Sequence, residues 1–173
     1  MLKQERELHR LRPKESQIFH WARTGDLDAL IEALSTGAQI DLEEKNNQGY
    51  TPLMLAIYNQ QFEFAKSLIA VGVSIHEEDP AGNTVLMITS YKGNVDMLNL
   101  LLEKGASLDS TNAAGMQAYD WAKAFNRSDI LEVLDSKLAK IKPVKKLSFK
   151  EQILFLSRKY IQRIFSKKQE ENI

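Results

Sequence analysis

Cysteine is absent from this chain of 173 residues, which excludes disulfide bonds and metal sites built on thiolates. No stretch comes near the ~20 consecutive apolar residues that a membrane-spanning helix requires. The first ten residues are charged throughout and lack the apolar core of a secretory signal. From these absences we expect a cytoplasmic protein without a transmembrane segment.

Motifs of catalysis and phosphate binding are also missing. The three histidines, His9, His20 and His76, are far apart along the chain and form no HExxH pair. No glycine belongs to a GxGxxG or GxxxxGK[ST] loop, and no nucleophile motif occurs. Acidic pairs such as Glu43-Glu44 fall in polar loops, where carboxylates are usually solvated. The sequence therefore predicts no catalytic residues, no bound cofactor and no metal site.

What the chain does contain is a repeat. Gly49, Gly82 and Gly115 are equally spaced along the chain, and a similar pattern follows each of them, as in Gly-Tyr-Thr-Pro-Leu and Gly-Asn-Thr-Val-Leu. A second set of glycines follows the apolar runs and predicts helix ends with a left-handed backbone. Its members are Gly37, Gly72 and Gly105. The interval from Gly49 to Gly82 is a repeat period typical of a solenoid, whose units are stable only when they stack.

Each repeat is predicted to hold two short helices. Thr51 before Pro52 has the signature of a helix start, because Thr caps the free N–H groups and proline suits the first helical position. Thr84 is expected to repeat this cap. The breaks between the paired helices are predicted at Gly25, Gln60, Gly93 and Asn126.

These patterns resemble the ankyrin-repeat family. The stretch from Gly49 to Ala56 is similar to the opening of an ankyrin repeat, and the stretch from Leu98 to Leu108 is similar to its second helix and exit turn. Met54 and Met87 stand where the family usually has histidine. The resemblance implies an all-α repeat solenoid of about four helix-turn-helix repeats with short projecting hairpin loops, as in the small stand-alone ankyrin proteins that are frequent in bacteria.

The expected organisation has a charged tail of opposite sign to the repeats. We expect a charged segment at 1–15, an ankyrin domain at 16–136 with repeats at about 16–45, 46–78, 79–111 and 112–136, a linker at 137–147, a basic amphipathic helix at 148–167 and a tail at 168–173. Residues 1–136 hold 12 basic and 20 acidic residues, whereas residues 137–173 hold 11 basic and 3 acidic. The amphipathic helix has three interpretations: it caps the last repeat, docks a partner, or contacts an anionic membrane surface.

The resemblance implies that a protein partner binds at the hairpin tips and at the concave face of the first helices. Tyr58 and Tyr91 take matching places there and predict an aromatic ladder, unless each ring packs on the adjacent repeat. The run Glu77-Glu78-Asp79 predicts an acidic lip that favours a basic partner. The predicted partner-binding residues are Arg23, Tyr50, Tyr58, Asn59, Glu78, Asp79, Asn83, Tyr91, Lys92, Met116 and Phe125.

We therefore expect a non-catalytic monomer that binds a protein partner stoichiometrically, as an adaptor, an inhibitor or an assembly factor. An enzyme or a protein with a basic surface is the expected kind of partner. The alternatives are a peripheral membrane scaffold that uses residues 148–167 and an exported effector. Nucleic acid is not an expected partner, because the acidic repeat body opposes phosphate.

Overall fold

A computed structural model describes residues 15–141, with side chains through residue 139. The expected amphipathic helix at 148–167 and most of the expected linker lie outside this range. Eight helices occur within it: α1 Gln17–Thr24, α2 Leu27–Ser35, α3 Pro52–Tyr58, α4 Phe62–Val71, α5 Val85–Lys92, α6 Val95–Glu103, α7 Ala118–Ala124 and α8 Ser128–Ile141. The chain divides into two units, residues 1–135 and 136–173, and the described part of the second is the end of α8.

The first helices of the pairs stack on one another in chain order. Helix α3 packs against α1 and α5, and α5 packs against α7. Met54 of α3 and Met87 of α5 are almost fully buried, so the methionines that replace the usual histidine of the family serve as core residues. Burial of an apolar side chain of this size stabilises the fold by about 1.5–3 kcal/mol before entropy is subtracted. The stack is therefore held mainly by apolar contacts between consecutive first helices.

The predicted helix starts are confirmed. Thr51 Oγ1 accepts a hydrogen bond from the backbone N–H of Met54 at 3.3 Å, and Pro52 is the first residue of α3. Thr84 Oγ1 accepts the equivalent bond from Met87 at 3.3 Å. Each cap satisfies one of the N–H groups that a helix leaves free at its start. The two central pairs therefore begin in the same way, which places equivalent side chains at the ends of α3 and α5.

The predicted breaks between paired helices are confirmed as well. The backbone is left-handed at all four positions, which are Gly25, Gln60, Gly93 and Asn126. At Gly93 a Cβ atom would lie 2.9 Å from Cδ of Arg127 in the next repeat. The Nε of Arg127 donates to the carbonyl of Tyr91 at 2.8 Å, which fixes the end of α5. A side chain at Gly93 would disturb this contact between repeats.

Three hairpin turns project between the pairs, and each is closed by an Asn or Asp side chain. Asn46, Asp79 and Asn112 occupy the same position in successive repeats, and the Oδ1 atom of each accepts backbone N–H groups two and four residues later. Asn112 Nδ2 also donates to Asn83 Oδ1 of the preceding hairpin at 2.7 Å. Side-chain acceptors of this kind stabilise tight turns. The hairpins are therefore ordered, and the second and third are linked to each other.

Candidate functional site

Aromatic side chains line the C-terminal ends of three consecutive first helices. We call the set the aromatic stripe; it consists of Tyr50, Tyr58, Tyr91, Trp121 and Phe125, with Lys92 between the rings. Tyr50 comes from the first hairpin and meets Tyr58 of α3 edge-on, with ring centroids 5.5 Å apart. Because the first helices stack in register, the equivalent residues Tyr58 and Tyr91 lie in one row, and Phe125 takes the position equivalent to Lys92.

Lys92 joins the two ends of the stripe. Its ammonium lies 4.7 Å from the ring centroid of Tyr91 and 5.8 Å from that of Tyr58. Both distances are within the range of about 6 Å in which a cation is attracted to an aromatic face. The two tyrosines of the predicted ladder are therefore bridged by a cation.

Tyr91, Trp121 and Phe125 form the C-terminal end of the stripe. Tyr91 lies edge-on to Phe125 at 4.5 Å and to Trp121 at 5.9 Å, and Trp121 stacks on Phe125 with an interplanar angle of 11°. Phe125 remains 44% exposed. The indole N–H of Trp121 is buried and makes no hydrogen bond with any residue from 15 to 139. The exposed apolar surface of this cluster is that of Phe125, beside the partly buried rings of Tyr91 and Trp121.

Tyr58 is held by a hydrogen bond as well as by ring contacts. Its hydroxyl donates to Asp79 Oδ2 at 3.3 Å. Burial of the phenol, and next the nearby carboxylate of Asp79, raise the pKa of Tyr58 well above its ordinary value near 10. The hydroxyl therefore stays protonated and keeps donating over the physiological pH range. The hydroxyl of Tyr58 is bonded to the scaffold through Asp79, whereas its ring belongs to the stripe.

The structure corrects the predicted acidic lip. Asp79 is only 6% exposed and Asn83 only 7%, so neither faces a partner at a hairpin tip. The Asp79 carboxylate is turned inward, because it accepts from the backbone of Ala81 and Asn83, from the Asn83 amide and from Tyr58. Glu77 is paired with Lys45 at 2.8 Å but its side chain is still 40% exposed, and Glu78 is exposed as well.

Three other predicted residues make local contacts. Arg23 forms two hydrogen bonds to the Glu15 carboxylate, at 2.7 and 2.8 Å, and this guanidinium lowers the pKa of Glu15. Asn59 is exposed, and its amide donates to the carbonyl of Leu55. Met116 is half-buried in the third hairpin. Within residues 15–139, Arg23 makes no cation–π contact with a ring of the stripe.

Trp121 was not among the predicted site residues, although a signal was present. It precedes Phe125 by four residues, a spacing that puts both side chains on one helix face. The equivalent positions of the two preceding repeats hold Ile88 and Leu55, which are buried core residues. The repeat pattern therefore indicated a core position, and Trp121 does pack against the core while its larger ring also contacts Tyr91 and Phe125.

The described residues hold neither a metal cluster nor a membrane span. Between 15 and 139, no group of three His, Asp or Glu side chains is arranged to hold a metal ion. No helix between residues 15 and 141 is both long and apolar enough to cross a membrane.

Comparison with known families agrees with the helical stack. The family model for ankyrin repeats, described as three copies, matches residues 2–79 and 63–145. The sequence matches none of the curated proteins with which it was compared. Ankyrin repeats are generally protein–protein interaction modules and are typically non-catalytic. Because the matched residues cover well over half of its length, the chain belongs to the ankyrin-repeat family.

Proposed function

We propose that this chain binds a protein partner stoichiometrically through the aromatic stripe and acts as an adaptor, an inhibitor or an assembly factor. The observation that carries the proposal is the continuity of the stripe: its rings and Lys92 contact one another across three repeats, and Phe125 is 44% exposed. Aromatic residues with one exposed face are favoured anchors in interfaces, because they bury a large area at a low entropy cost.

The supports of the stripe favour binding by a preformed surface. The end of α5 is fixed by the hydrogen bond from Arg127 to the Tyr91 carbonyl, and Tyr58 is fixed by Asp79. Little conformational entropy remains to be lost when such side chains meet a partner. In this proposal the binding domain is the stack at 16–136, and the protein acts as a cytoplasmic monomer.

The test is affinity capture with the full chain, followed by dissociation constants for the captured partner. Replacing Tyr91 and Phe125 together by Ala is expected to weaken binding by about 2 kcal/mol or more, the loss typical of interface anchors. The matched control replaces two exposed apolar residues outside the stripe, Leu34 and Val71, by Ala. This control is expected to bind like the wild type.

Unfolding curves for both double variants accompany the binding measurement, so that a loss of fold is not mistaken for a loss of contact. Equal affinity of the stripe variant, the control and the wild type would show that the partner binds elsewhere.

A further inference from the structure

We propose that Lys92 makes the stripe selective for a partner segment in which a carboxylate stands beside an aromatic or large aliphatic side chain. This inference rests on the proposed function and adds the chemistry of the partner. It also reverses the preference for a basic partner that the acidic run Glu77-Glu78-Asp79 suggested.

The ammonium of Lys92 is held in place before any partner arrives. It lies between the rings of Tyr58 and Tyr91, at 5.8 and 4.7 Å from their centroids, and the side chain is half-buried. A lysine side chain ordinarily loses considerable rotamer entropy when it enters an interface. Attraction of the ammonium to the two rings favours this position, so part of that loss is avoided on binding.

Lys92 also keeps its hydrogen-bonding capacity. An ammonium has three N–H donors, and aromatic faces attract its charge without supplying an oxygen acceptor. No carboxylate among residues 15–139 pairs with Lys92, and no oxygen in that range accepts a hydrogen bond from it. A carboxylate from a partner would satisfy these donors with charge-assisted bonds, which are stronger than bonds between neutral groups.

Two of the three residues in the acidic run are already engaged within the protein, and Glu78 stays exposed. The Asp79 carboxylate is buried and occupied by its four donors, and Glu77 is paired with Lys45. Residues 15–141 do hold 18 acidic and 9 basic residues, so the body as a whole repels acidic partners at long range. That repulsion is screened beyond about 8 Å at physiological ionic strength, whereas a contact with Lys92 is not.

The apolar half of the recognised motif follows from what lies next to Lys92. Tyr91 contacts both Lys92 and Phe125, and Phe125 is among the most exposed large apolar side chains of the described residues. An aromatic or aliphatic side chain of the partner can cover Phe125 while an adjacent carboxylate reaches Lys92. The stripe therefore recognises two adjacent side chains of the partner, one apolar and one acidic.

The test is a selection of short random peptides on the immobilised full-length protein, followed by dissociation constants for the enriched peptides. The wild type is expected to enrich peptides that place Asp or Glu beside Phe, Trp or Leu. Lys92→Met is expected to bind these peptides about tenfold more weakly, the effect of losing one charge-assisted hydrogen bond. Lys92→Arg, which retains the charge, is expected to keep the preference.

The matched control is Lys104→Met, an identical change at an exposed lysine outside the stripe, and it is expected to bind like the wild type. Acidic peptides that bind Lys92→Met as tightly as the wild type would overturn the inference. Enrichment of apolar or basic peptides without an acidic residue would also overturn it, while the proposed function would stand if Tyr91→Ala abolished their binding. Enriched peptides whose binding does not depend on Tyr91 or Phe125 would overturn both this inference and the proposed function.

Discussion

Tyr58 and Tyr91 occupy the same place in successive repeats, yet they are held in different ways. Tyr58 donates a hydrogen bond to the buried Asp79. The hydroxyl of Tyr91 makes no hydrogen bond with any residue from 15 to 139, and its ring packs against Trp121 and Phe125 instead. The first tyrosine is tied to the scaffold, whereas the second belongs to an apolar cluster with an exposed surface.

The hydrogen bond that distinguishes Tyr58 from Tyr91 depends on the second polar side-chain atom of the turn residue in the adjoining hairpin. Asp79 and Asn112 are equivalent turn residues, and both use Oδ1 to accept two backbone N–H groups. The second side-chain atom of Asp79 is an oxygen, which accepts from Tyr58 and from Asn83. In Asn112 the second atom is a nitrogen that donates to Asn83, so it cannot accept from a tyrosine. Aspartate at this turn position therefore provides an acceptor for a tyrosine hydroxyl that the equivalent asparagine does not provide.

The largest effect is expected from removing this aspartate. Asp79→Ala leaves two backbone N–H groups and the donors of Asn83 and Tyr58 without their acceptor in a buried place. The expected loss is about 2–4 kcal/mol of the free energy of unfolding. Asn112→Ala removes fewer acceptor bonds at a half-buried position, and about 1–2 kcal/mol is expected. Urea unfolding of the two variants measures the difference, and equal losses would show that the aspartate has no special role.

A smaller effect is expected from the hydroxyl groups. Tyr58→Phe removes the bond to Asp79 and should cost about 1 kcal/mol, whereas Tyr91→Phe should change stability by less than about 0.5 kcal/mol. The pKa of Tyr58 is raised in the folded protein, so the protonated phenol stabilises the fold below the unfolded pKa of about 10. This contribution is lost as the pH rises above that value.

Unfolding curves between neutral and alkaline pH test the sign of this linkage. The wild type is expected to lose stability above about pH 10 more steeply than Tyr58→Phe, whereas Tyr91→Phe should follow the wild type. Parallel curves for all three proteins would show that the pKa of the Tyr58 phenol is not raised in the folded protein.

Much of the fold could be predicted because its signals are local and periodic. The left-handed breaks, including those at Gln60 and Asn126, and the threonine caps follow from residue types at fixed spacing. The aromatic residues of the stripe were also foreseen in part, since Tyr58 and Tyr91 share a phase. Such inferences need only the chain order and the stacking of like units.

The polar side of the site could not be predicted in the same way. Asp79 was expected in an exposed acidic lip because charge and position near a hairpin tip favour solvent. Its burial depends on where the donors of Asn83 and Tyr58 come to lie, which is a matter of packing between elements distant in sequence. The spacing of Asn46, Asp79 and Asn112 carried the signal, because a residue type repeated at the period of the fold indicates a structural role.

Binding at the stripe can be measured directly with the two tryptophans of the chain, Trp21 in α1 and Trp121 in the stripe. In Trp21→Phe, Trp121 is the sole tryptophan and reports on the stripe, whereas Trp121→Phe leaves only Trp21. A captured partner or an enriched peptide is expected to produce a saturable change in Trp121 emission, with the dissociation constant found by calorimetry, and to leave Trp21 emission unchanged. Binding that is complete by calorimetry while Trp121 emission stays constant would show that the partner does not bind at the stripe.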